Sequence, residues 1–442
     1  MVIVDKILRC KYLLRMTDEA IREDYSVVIH AGKIIDILPV NDYPSKYKPK
    51  EVFYLNRHIV MPGFVNCHNH SPMIFFRGII PEGTTLEDVL HKYMFPLEKE
   101  FSSNPDFVYL ASKAAAIEML NAGTTTTTEM YFHSERVMQA YKEAGIRAIV
   151  GETIFSSMAT PSAKSPWDSI KLAENAMKLN DGLVEAAISP HASYTVNDAA
   201  MLMCKEACKS FGMRMLMHAN ESQFEMEEIL KRKGNEERRE WPITYFSELG
   251  IFDSIKTTLA HCCHLNQKEI DNILKYDIGV ALNPVSNALI GNKTANLKVM
   301  LKYLIRVGLA TDGPMTNDSI DLLSQLKPAM TLYLASEPGT WLDSYKIVEL
   351  ATIGSARALH LDDKIGTLEK GKEADIIALD ANEKAIPYIQ NGNVFQYITR
   401  CSRPNDVTFR MVKGNEIPWR NPQGETAISM AKKVKEFLHG KT

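Results

Sequence analysis

The 442-residue sequence contains little cysteine, no surplus of charge of either sign and no long apolar run. Seven cysteines are few for this length, and their spacings match neither a zinc finger nor a thioredoxin-like pair. The 51 lysine and arginine residues are balanced by 54 acidic residues, so no basic surplus is available to neutralise nucleic acid phosphates. We therefore expect a protein of the reducing cytoplasm that has no nucleic acid partner.

No window of 18 uncharged apolar residues occurs, and charges interrupt the short apolar runs of the amino terminus. Neither a membrane span nor a secretory signal is therefore expected. The composition is that of an ordinary globular protein, with 45% hydrophobic and 24% charged residues. The length suggests about two or three domains, because a single α/β barrel can absorb 250 residues or more.

The middle of the chain repeats one theme, a short β-branched or apolar run followed by a stretch with helical spacing. Candidate strands lie at 58–70, 122–132, 146–154, 183–194, 214–221, 257–263, 278–287 and 306–314. The stretch 104–123 has helical spacing and ends on Asn121 and Gly123, which are typical of a helix stop. Eight strands alternating with helices predict an α/β protein with a (β/α)8 TIM-type barrel.

The two ends of the chain lack the strand–helix alternation of the middle. Residues 1–57 and 366–419 both have the alternating pattern of short strands. Neither end has a convincing core of its own. We expect them to pair into one small β-sandwich domain. The predicted domains are thus a composite one from 1–60 plus 362–442, and a barrel from 61–361.

A first candidate for chemistry is His68-Asn69-His70, which follows an apolar run at the end of the first candidate strand. On a strand, residues i and i+2 point to the same side, so both imidazoles would face the interior at the carboxyl end of the barrel. Such a pair suits a divalent metal. The alternative is two chance histidines on a loop.

His218 and Glu221, in the run HANE, end the fifth candidate strand. This spacing would let His218 reach a metal while Glu221 leans over the open coordination position as a general acid or base. Taken alone, His218 could equally be a core histidine and Glu221 a carboxylate at a helix start.

His261 ends the sixth candidate strand and Asp312 follows the eighth, although Thr-Asp-Gly is also a plain turn. All five residues fall at carboxyl ends of predicted strands, whereas chance residues would scatter over both ends of the barrel: His68, His70, His218, His261 and Asp312. This clustering predicts a metal site, which zinc, iron or manganese would each suit.

In this order, PGFVNCHNH, HANE, LAHCCHL, NPVSNALIGN and ATDG resemble the amidohydrolase superfamily. Within it they resemble the branch of amino-heterocycle deaminases and chlorohydrolases that includes methylthioadenosine/S-adenosylhomocysteine deaminases. The resemblance runs from about Val60 to Leu361 and extends weakly into both flanks. It implies hydrolytic deamination of an adenosine-type nucleoside, namely 5'-methylthioadenosine, S-adenosylhomocysteine or adenosine.

The resemblance also implies roles for individual residues. One zinc ion would be held by His68, His70, His218 and Asp312, and Glu221, His261 and Asp312 would handle protons. Glu98 and His191 match positions where nucleoside-deaminating members contact the ribose, although Glu98 alone reads as a solvated helix charge. The run ISPHASY lacks the lysine that bridges binuclear sites, and family members are commonly homo-oligomers.

The chain departs from the family pattern at several places, among them Lys293 in the run Gly-Asn-Lys and Pro314 after Asp312, and two of the departures bear on the substrate. Val89 stands where many members carry a tryptophan, and Glu152 where some carry an arginine suited to the homocysteine carboxylate. A glutamate would repel that carboxylate, which disfavours S-adenosylhomocysteine more than methylthioadenosine.

Three alternatives stay open at this point. The substrate could be another amino- or chloro-substituted ring, such as guanine, cytosine, a pterin or a triazine. The reaction could be the opening of a cyclic amide. The chain could also be a non-catalytic scaffold of the dihydropyrimidinase-like kind, but that class has lost ligands that are all present here.

Overall fold

The computed structural model describes residues 1–156, 164–232, 241–339, 341–422 and 424–439. The strands are β1 (Val2–Leu14), β2 (Ile21–His30), β3 (Lys33–Pro39), β4 (Tyr47–Pro62), β5 (Phe64–Asn66), β6 (Thr124–Tyr131), β7 (Arg147–Ile154), β8 (Val184–Pro190), β9 (Met215–Ala219), β10 (Thr257–His261), β11 (Gly279–Leu282), β12 (Arg306–Leu309), β13 (Ile376–Asp380), β14 (Val407–Val412) and β15 (Asn415–Glu416).

The α-helices are α1 (Tyr43–Lys46), α2 (Leu86–Asp88), α3 (Phe95–Leu97), α4 (Pro105–Asn121), α5 (Ser134–Ala144), α6 (Pro166–Met177), α7 (Asp198–Phe211), α8 (Gln223–Arg232), α9 (Pro242–Glu248), α10 (Gln267–Lys275), α11 (Pro284–Leu289), α12 (Leu297–Lys302), α13 (Pro314–Asn317), α14 (Leu322–Ser336), α15 (Ser344–Glu349), α16 (Ser355–Ala358), α17 (Ile386–Gln390), α18 (Val394–Arg400) and α19 (Glu425–His439). Short 3-10 helices cover Ser71–Phe76 and Pro404–Asp406, and single π-helical turns cover Val89–Met94, Glu98–Ser102 and Leu350–Gly354. No helix in the described part of the chain is both long and apolar enough to cross a bilayer.

Both ends of the chain contribute to one seven-stranded sheet, in the order β15-β14-β13-β4-β1-β2-β3. Strand β13 runs antiparallel to β4, with Ile376 opposite Pro62 and Ala378 opposite Val60. Alternate residues of these strands bury one apolar face, because side chains on a strand point to opposite sides in turn. The prediction that both ends pair into one β-domain is confirmed, and this domain is built on a single seven-stranded sheet where a β-sandwich was expected.

A second sheet has eight strands in sequential order, from β5 to β12. Neighbouring strands run parallel, as shown by the pairs Ala148 with Val184 and Met215 with Thr257. Strands β6 and β7 are buried along their whole length, as expected when helices cover the sheet from outside. The predicted (β/α)8 barrel is confirmed, and the run of five threonines in β6 is one of its strands.

The chain divides into two compact units. One consists of Met1–Asn66, Glu118–Thr126 and Asp321–Arg420, and the other of Cys67–Ile117, Thr127–Ile320 and Asn421–Thr442. The boundaries drawn from the sequence at 60/61 and 361/362 stay a prediction.

The first strand was drawn too long in the sequence analysis. The stretch 58–70 divides at Gly63, because β4 ends at Pro62 and β5 covers only Phe64–Asn66. His68 and His70 therefore lie in the loop beyond β5, and strand alternation does not orient them. By contrast, the helix expected at 104–123 is confirmed as α4, which is followed by Gly123 at a φ of 89°.

Candidate active site and metal centre

A cavity at the carboxyl ends of the barrel strands gathers most of the predicted site residues. Its walls include seven of the eight: His70, Glu98, His191, His218, Glu221, His261 and Asp312. The eighth, His68, lies directly behind them, with its Nε2 3.3 Å from Oδ1 of Asp312. The carboxyl ends of barrel strands are where catalytic residues of this fold collect.

Three imidazoles converge with a carboxylate at the base of the cavity. The Nε2 atoms of His70 and His218 are 3.0 Å apart, and Oδ1 of Asp312 lies 3.4 Å from Nε2 of His70. The ligand atoms of His68, His70 and His218 lie within 4.8 Å of one another. Histidine nitrogens and a carboxylate oxygen at this density are a donor set suited to zinc.

The hydrogen bonds behind these rings fix where their protons are. Nδ1–H of His70 donates to the carbonyl of Met130 at 2.7 Å, and Nδ1–H of His218 donates to the carbonyl of His191 at 2.9 Å. A neutral imidazole has only one N–H, so both Nε2 atoms are bare acceptors. Burial lowers the pKa of both rings, which disfavours a second proton on either.

Two bare lone pairs therefore face each other across 3.0 Å without a proton between them. Nε2 of His68 is buried beside them and lies 3.3 Å from Oδ1 of Asp312, outside good hydrogen-bond geometry. Buried acceptors of this kind are costly unless a cation lies among them. The donor atoms of these residues thus fit a divalent metal ion.

Asp312 is held by two hydroxyl groups on its far side. Its Oδ2 accepts from Oγ of Ser286 at 2.6 Å and from Oγ1 of Thr316 at 3.2 Å. This leaves Oδ1 directed at His68 and His70. The backbone at Asp312 has a φ of 63°, and that at His261 has a φ of 73°. Such left-handed conformations are uncommon for residues other than glycine, and they cluster at functional sites.

Glu221 follows β9 and is buried in the cavity wall, 6% exposed. Burial, together with the nearby charge of Asp312, raises the pKa of Glu221 to about 8. The side chain is placed by Asn292, whose Nδ2 donates to Oε1 at 3.3 Å. A carboxyl group whose pKa is raised in this way is suited to act as a general acid near neutral pH.

His261 presents a proton acceptor to the cavity. Its Nδ1–H donates to Oδ1 of Asn287 at 2.9 Å, and Nδ2 of the same amide donates to Sγ of Cys263 at 3.0 Å. Because the Asn287 oxygen is an acceptor, Nδ1 holds the ring proton and Nε2 is free to take another.

Glu98 is buried, although the residue taken alone was expected to be a solvated charge on a helix. It lies in the π-helical turn Glu98–Ser102 and is only 4% exposed. Burial raises the pKa of Glu98 to about 8, and a hydrogen bond from Tyr131 partly opposes this. The hydroxyl of Tyr131 is itself within 2.7 Å of Oγ of Ser102, so the carboxyl group is held in place.

His191 follows β8 and also offers an acceptor. Its Nδ1 lies 2.9 Å from Oγ1 of Thr195, whose own proton goes to the carbonyl of Ala192. The ring therefore donates from Nδ1 and leaves Nε2 bare. It stacks on Phe155 at a centroid distance of 4.5 Å, which orients it across the cavity.

The two departures from the family pattern lie outside the cavity wall formed by the described residues. Val89 is fully buried, while its neighbours Leu86 and Leu90 line the cavity. The carboxylate of Glu152 instead accepts the backbone N–H groups of His133 and Ser134, at 3.3 and 2.7 Å, at the start of α5.

Sequence reasoning missed the residues that hold the site from behind. Ser286, Asn287 and Asn292 contact Asp312, His261 and Glu221 respectively. All three lie in NPVSNALIGN, a motif that carried the family resemblance but was assigned no residue roles. The signal available in the sequence was the number of short polar side chains that this motif places directly after a barrel strand.

Comparison with known proteins agrees with this geometry. The chain is 32% identical over 417 residues to a 5-methylthioadenosine/S-adenosylhomocysteine deaminase from Thermodesulfovibrio yellowstonii, covering 92% of each chain. It is 31% identical over 417 residues to a protein of the same name from Caldanaerobacter subterraneus, covering 92% and 91%.

Among solved structures, an adenosine deaminase from Xanthomonas campestris with bound zinc superposes with a TM-score of 0.91 at 25% identity, covering 99% of each chain. The model of the amidohydrolase family matches residues 59–417. This match spans the barrel, the metal centre described above and β13 to β14. The chain belongs to the amidohydrolase family.

Proposed function

We propose that this protein is a zinc-dependent deaminase that converts an adenosine-type nucleoside and water into the inosine analogue and ammonia. The preferred substrates are 5'-methylthioadenosine and S-adenosylhomocysteine, which name the activity of relatives about 30% identical to this chain. Glu152 lies outside the described cavity wall, so the repulsion expected from its carboxylate does not count against S-adenosylhomocysteine. The observation that carries the proposal is a buried acid, Glu221, in the same cavity as bare imidazole nitrogens that require a cation. We further infer a cytoplasmic enzyme that forms a homo-oligomer.

The metal would be held by His68, His70, His218 and Asp312. A divalent ion there supplies the acidification of water, from a pKa of about 15.7 toward about 7, so that a nucleophile exists at neutral pH. Zinc is the ion present in the adenosine deaminase from Xanthomonas campestris. Iron and manganese suit the same donors.

The remaining chemistry falls to side chains of this protein. Glu221, protonated at neutral pH, donates to the ring nitrogen beside the amino-bearing carbon, which makes that carbon electrophilic. His261, through its bare Nε2, and Asp312 orient the attacking water and take its proton. The proton taken from water then passes to the departing ammonia, and Glu221 regains a proton from the hydroxyl group left on the carbon, so the site ends in its starting protonation state.

The nucleoside sugar is expected to lie toward Glu98 and His191. A ribose offers two hydroxyl donors, and these two residues provide a carboxyl group and a bare imidazole nitrogen as acceptors. Apolar side chains fill much of the remaining wall and would contact the base and the 5' substituent: Met73, Leu86, Leu90, Met94, Phe95, Phe132, Phe155 and Ile290.

Replacing Glu98 with alanine is expected to remove the preference for an intact ribose. Losing the hydrogen bonds that the two ribose hydroxyls make to this carboxyl group should raise KM for adenosine about 10- to 100-fold while leaving kcat within about threefold. KM for 2',3'-dideoxyadenosine, which cannot make those bonds, should stay near the wild-type value. Steady-state ammonia release measures both.

Glu100→Ala is the matched control, since Glu100 lies two residues away and is exposed. It should behave as wild type on both nucleosides. An equal rise in KM for adenosine and its dideoxy analogue in Glu98→Ala would remove Glu98 from the sugar site.

The experiment that tests the function is a screen for ammonia release. The compounds are 5'-methylthioadenosine, S-adenosylhomocysteine, adenosine, 5'-deoxyadenosine, guanine and cytosine. Adenosine-type nucleosides should be turned over with higher kcat/KM than either base. Activity on the free bases alone would replace this proposal with deamination of another amino-heterocycle.

A further inference from the structure

Glu129 lies on β6 and is fully buried, yet the proposed chemistry does not use it. Both of its oxygens accept the backbone N–H of Ser71, at 3.1 and 3.0 Å. The hydroxyl of Tyr141, on α5, donates to Oε2 at 2.6 Å. Because the Tyr141 proton is used there, Oγ of Ser71 donates its own proton to the Tyr141 oxygen, 2.6 Å away.

These bonds belong to a larger set that attaches three consecutive residues, Asn69, His70 and Ser71, to Glu129 and Met130 of β6. The N–H of Met130 donates to the carbonyl of Asn69 at 3.2 Å, and Nδ1–H of His70 donates to the carbonyl of Met130 at 2.7 Å. The N–H of Ser71 completes the set at Glu129. The segment that presents His70 is therefore fixed to β6 on both sides of the imidazole.

This attachment matters because His70 is outside regular structure. Its φ of −130° and ψ of 63° belong to neither a strand nor a helix, and the 3-10 helix begins only at Ser71. Because this backbone lies beyond the end of β5, it is held by the backbone of Met130 together with the side chains of Glu129 and Tyr141. We propose that Glu129 is a positioning residue that, through Ser71 and Tyr141, holds the imidazole of His70 in the geometry that binds the metal.

The inference rests on the proposed metal site and assigns to Glu129 a contribution to metal affinity. In Glu129→Gln, one carboxylate oxygen becomes an amide NH2. It would either face the N–H of Ser71, donor against donor, or donate to the Tyr141 oxygen and force the hydroxyl protons of Tyr141 and Ser71 to reverse. Partners that orient metal-binding histidines typically contribute about 10- to 100-fold to metal affinity.

The experiment measures the Zn²⁺ affinity of the full-length apoprotein by competition with a chromogenic chelator. We expect Kd for Zn²⁺ to rise about 10- to 100-fold in Glu129→Gln. Tyr141→Phe, which removes the two hydrogen bonds of the Tyr141 hydroxyl but leaves the N–H of Ser71 bonded to Glu129, should raise it about fivefold. The visible spectrum of the Co²⁺-loaded Glu129→Gln variant should differ from wild type, because the ligand geometry changes.

Glu152→Gln is the matched control. Glu152 is a buried carboxylate on the adjacent strand β7, and it also accepts backbone N–H groups at the start of a helix, α5, that precedes it in the chain. Among the described contacts, it is bonded to none of the proposed metal ligands. Its Kd for Zn²⁺ should equal that of wild type even if its Tm falls. This separates metal positioning from general stability.

Wild-type affinity and Co²⁺ spectra in both Glu129→Gln and Tyr141→Phe would overturn the role of Glu129 while leaving the proposed function intact. An equal rise in Kd in Glu152→Gln would also overturn it, since the effect would then be one of stability. A wild-type protein that binds no Zn²⁺ would overturn the proposed function, and this inference with it.

Discussion

Replacing Glu221 with glutamine is expected to lower kcat for ammonia release by about 10²- to 10⁴-fold, the usual contribution of a general acid. Glutamine has nearly the same shape and keeps an oxygen that can accept from Nδ2 of Asn292, which now lies 3.3 Å from Oε1. It has no titratable proton to give to the ring nitrogen. KM and metal content should therefore change little.

The measurement combines steady-state ammonia release with metal analysis of the purified variant. Glu227→Gln serves as control, because Glu227 is an exposed carboxylate on the same stretch of chain, in α8, and should leave kcat unchanged. A Glu221→Gln enzyme that keeps its metal and deaminates at near wild-type rates would show that the proton comes from another group.

Removing His218 is expected to have an equally large effect by a different route. In His218→Ala, the Nε2 that faces Nε2 of His70 at 3.0 Å is lost, and with it one of the proposed metal ligands. Catalytic zinc sites typically have three or four protein ligands, so metal content should fall from about one ion per chain to about 0.1 or less. Deamination should fall in proportion.

His264→Ala is the control for this variant. His264 is a half-buried histidine three residues after His261, and it is not among the residues of the cavity wall. Its described hydrogen bonds, both with Asn220, are made by its backbone. It should retain metal and activity. Full metal occupancy in His218→Ala, measured by atomic emission, would contradict the proposed ligand set.

The barrel was predictable because its pattern is local. Each strand is a short β-branched or apolar run followed by helical spacing, and the order of the strands in the sheet follows the order in the chain. Given that order, His218, His261 and Asp312 had to converge, since the carboxyl ends of parallel strands share one face of the sheet.

The conformations at those ends were not predictable. Asp312 and His261 both have left-handed backbones, and His70 lies beyond its strand, so no periodic pattern orients their side chains. Their orientation comes from contacts distant in sequence, such as Ser286 with Asp312 and Met130 with His70. A single sequence does not record which residues make such contacts.

The burial of Glu98 illustrates the same limit. In sequence, Glu98 is followed by Lys99 and Glu100, a charged run that favours a solvated face. Lys99 and Glu100 are exposed, but a π-helical turn places Glu98 against Tyr131 in the cavity. The family resemblance identified this residue, and the charge pattern did not.

The central claim is that this chain is a metal-dependent deaminase of adenosine-type nucleosides. It is tested most directly by measuring ammonia release from 5'-methylthioadenosine before metal removal, after it, and after one equivalent of Zn²⁺ is returned. The account predicts activity in the purified protein, its loss with the metal and its recovery with Zn²⁺. Turnover that persists in the metal-free protein, or no turnover in the fully loaded one, would contradict it.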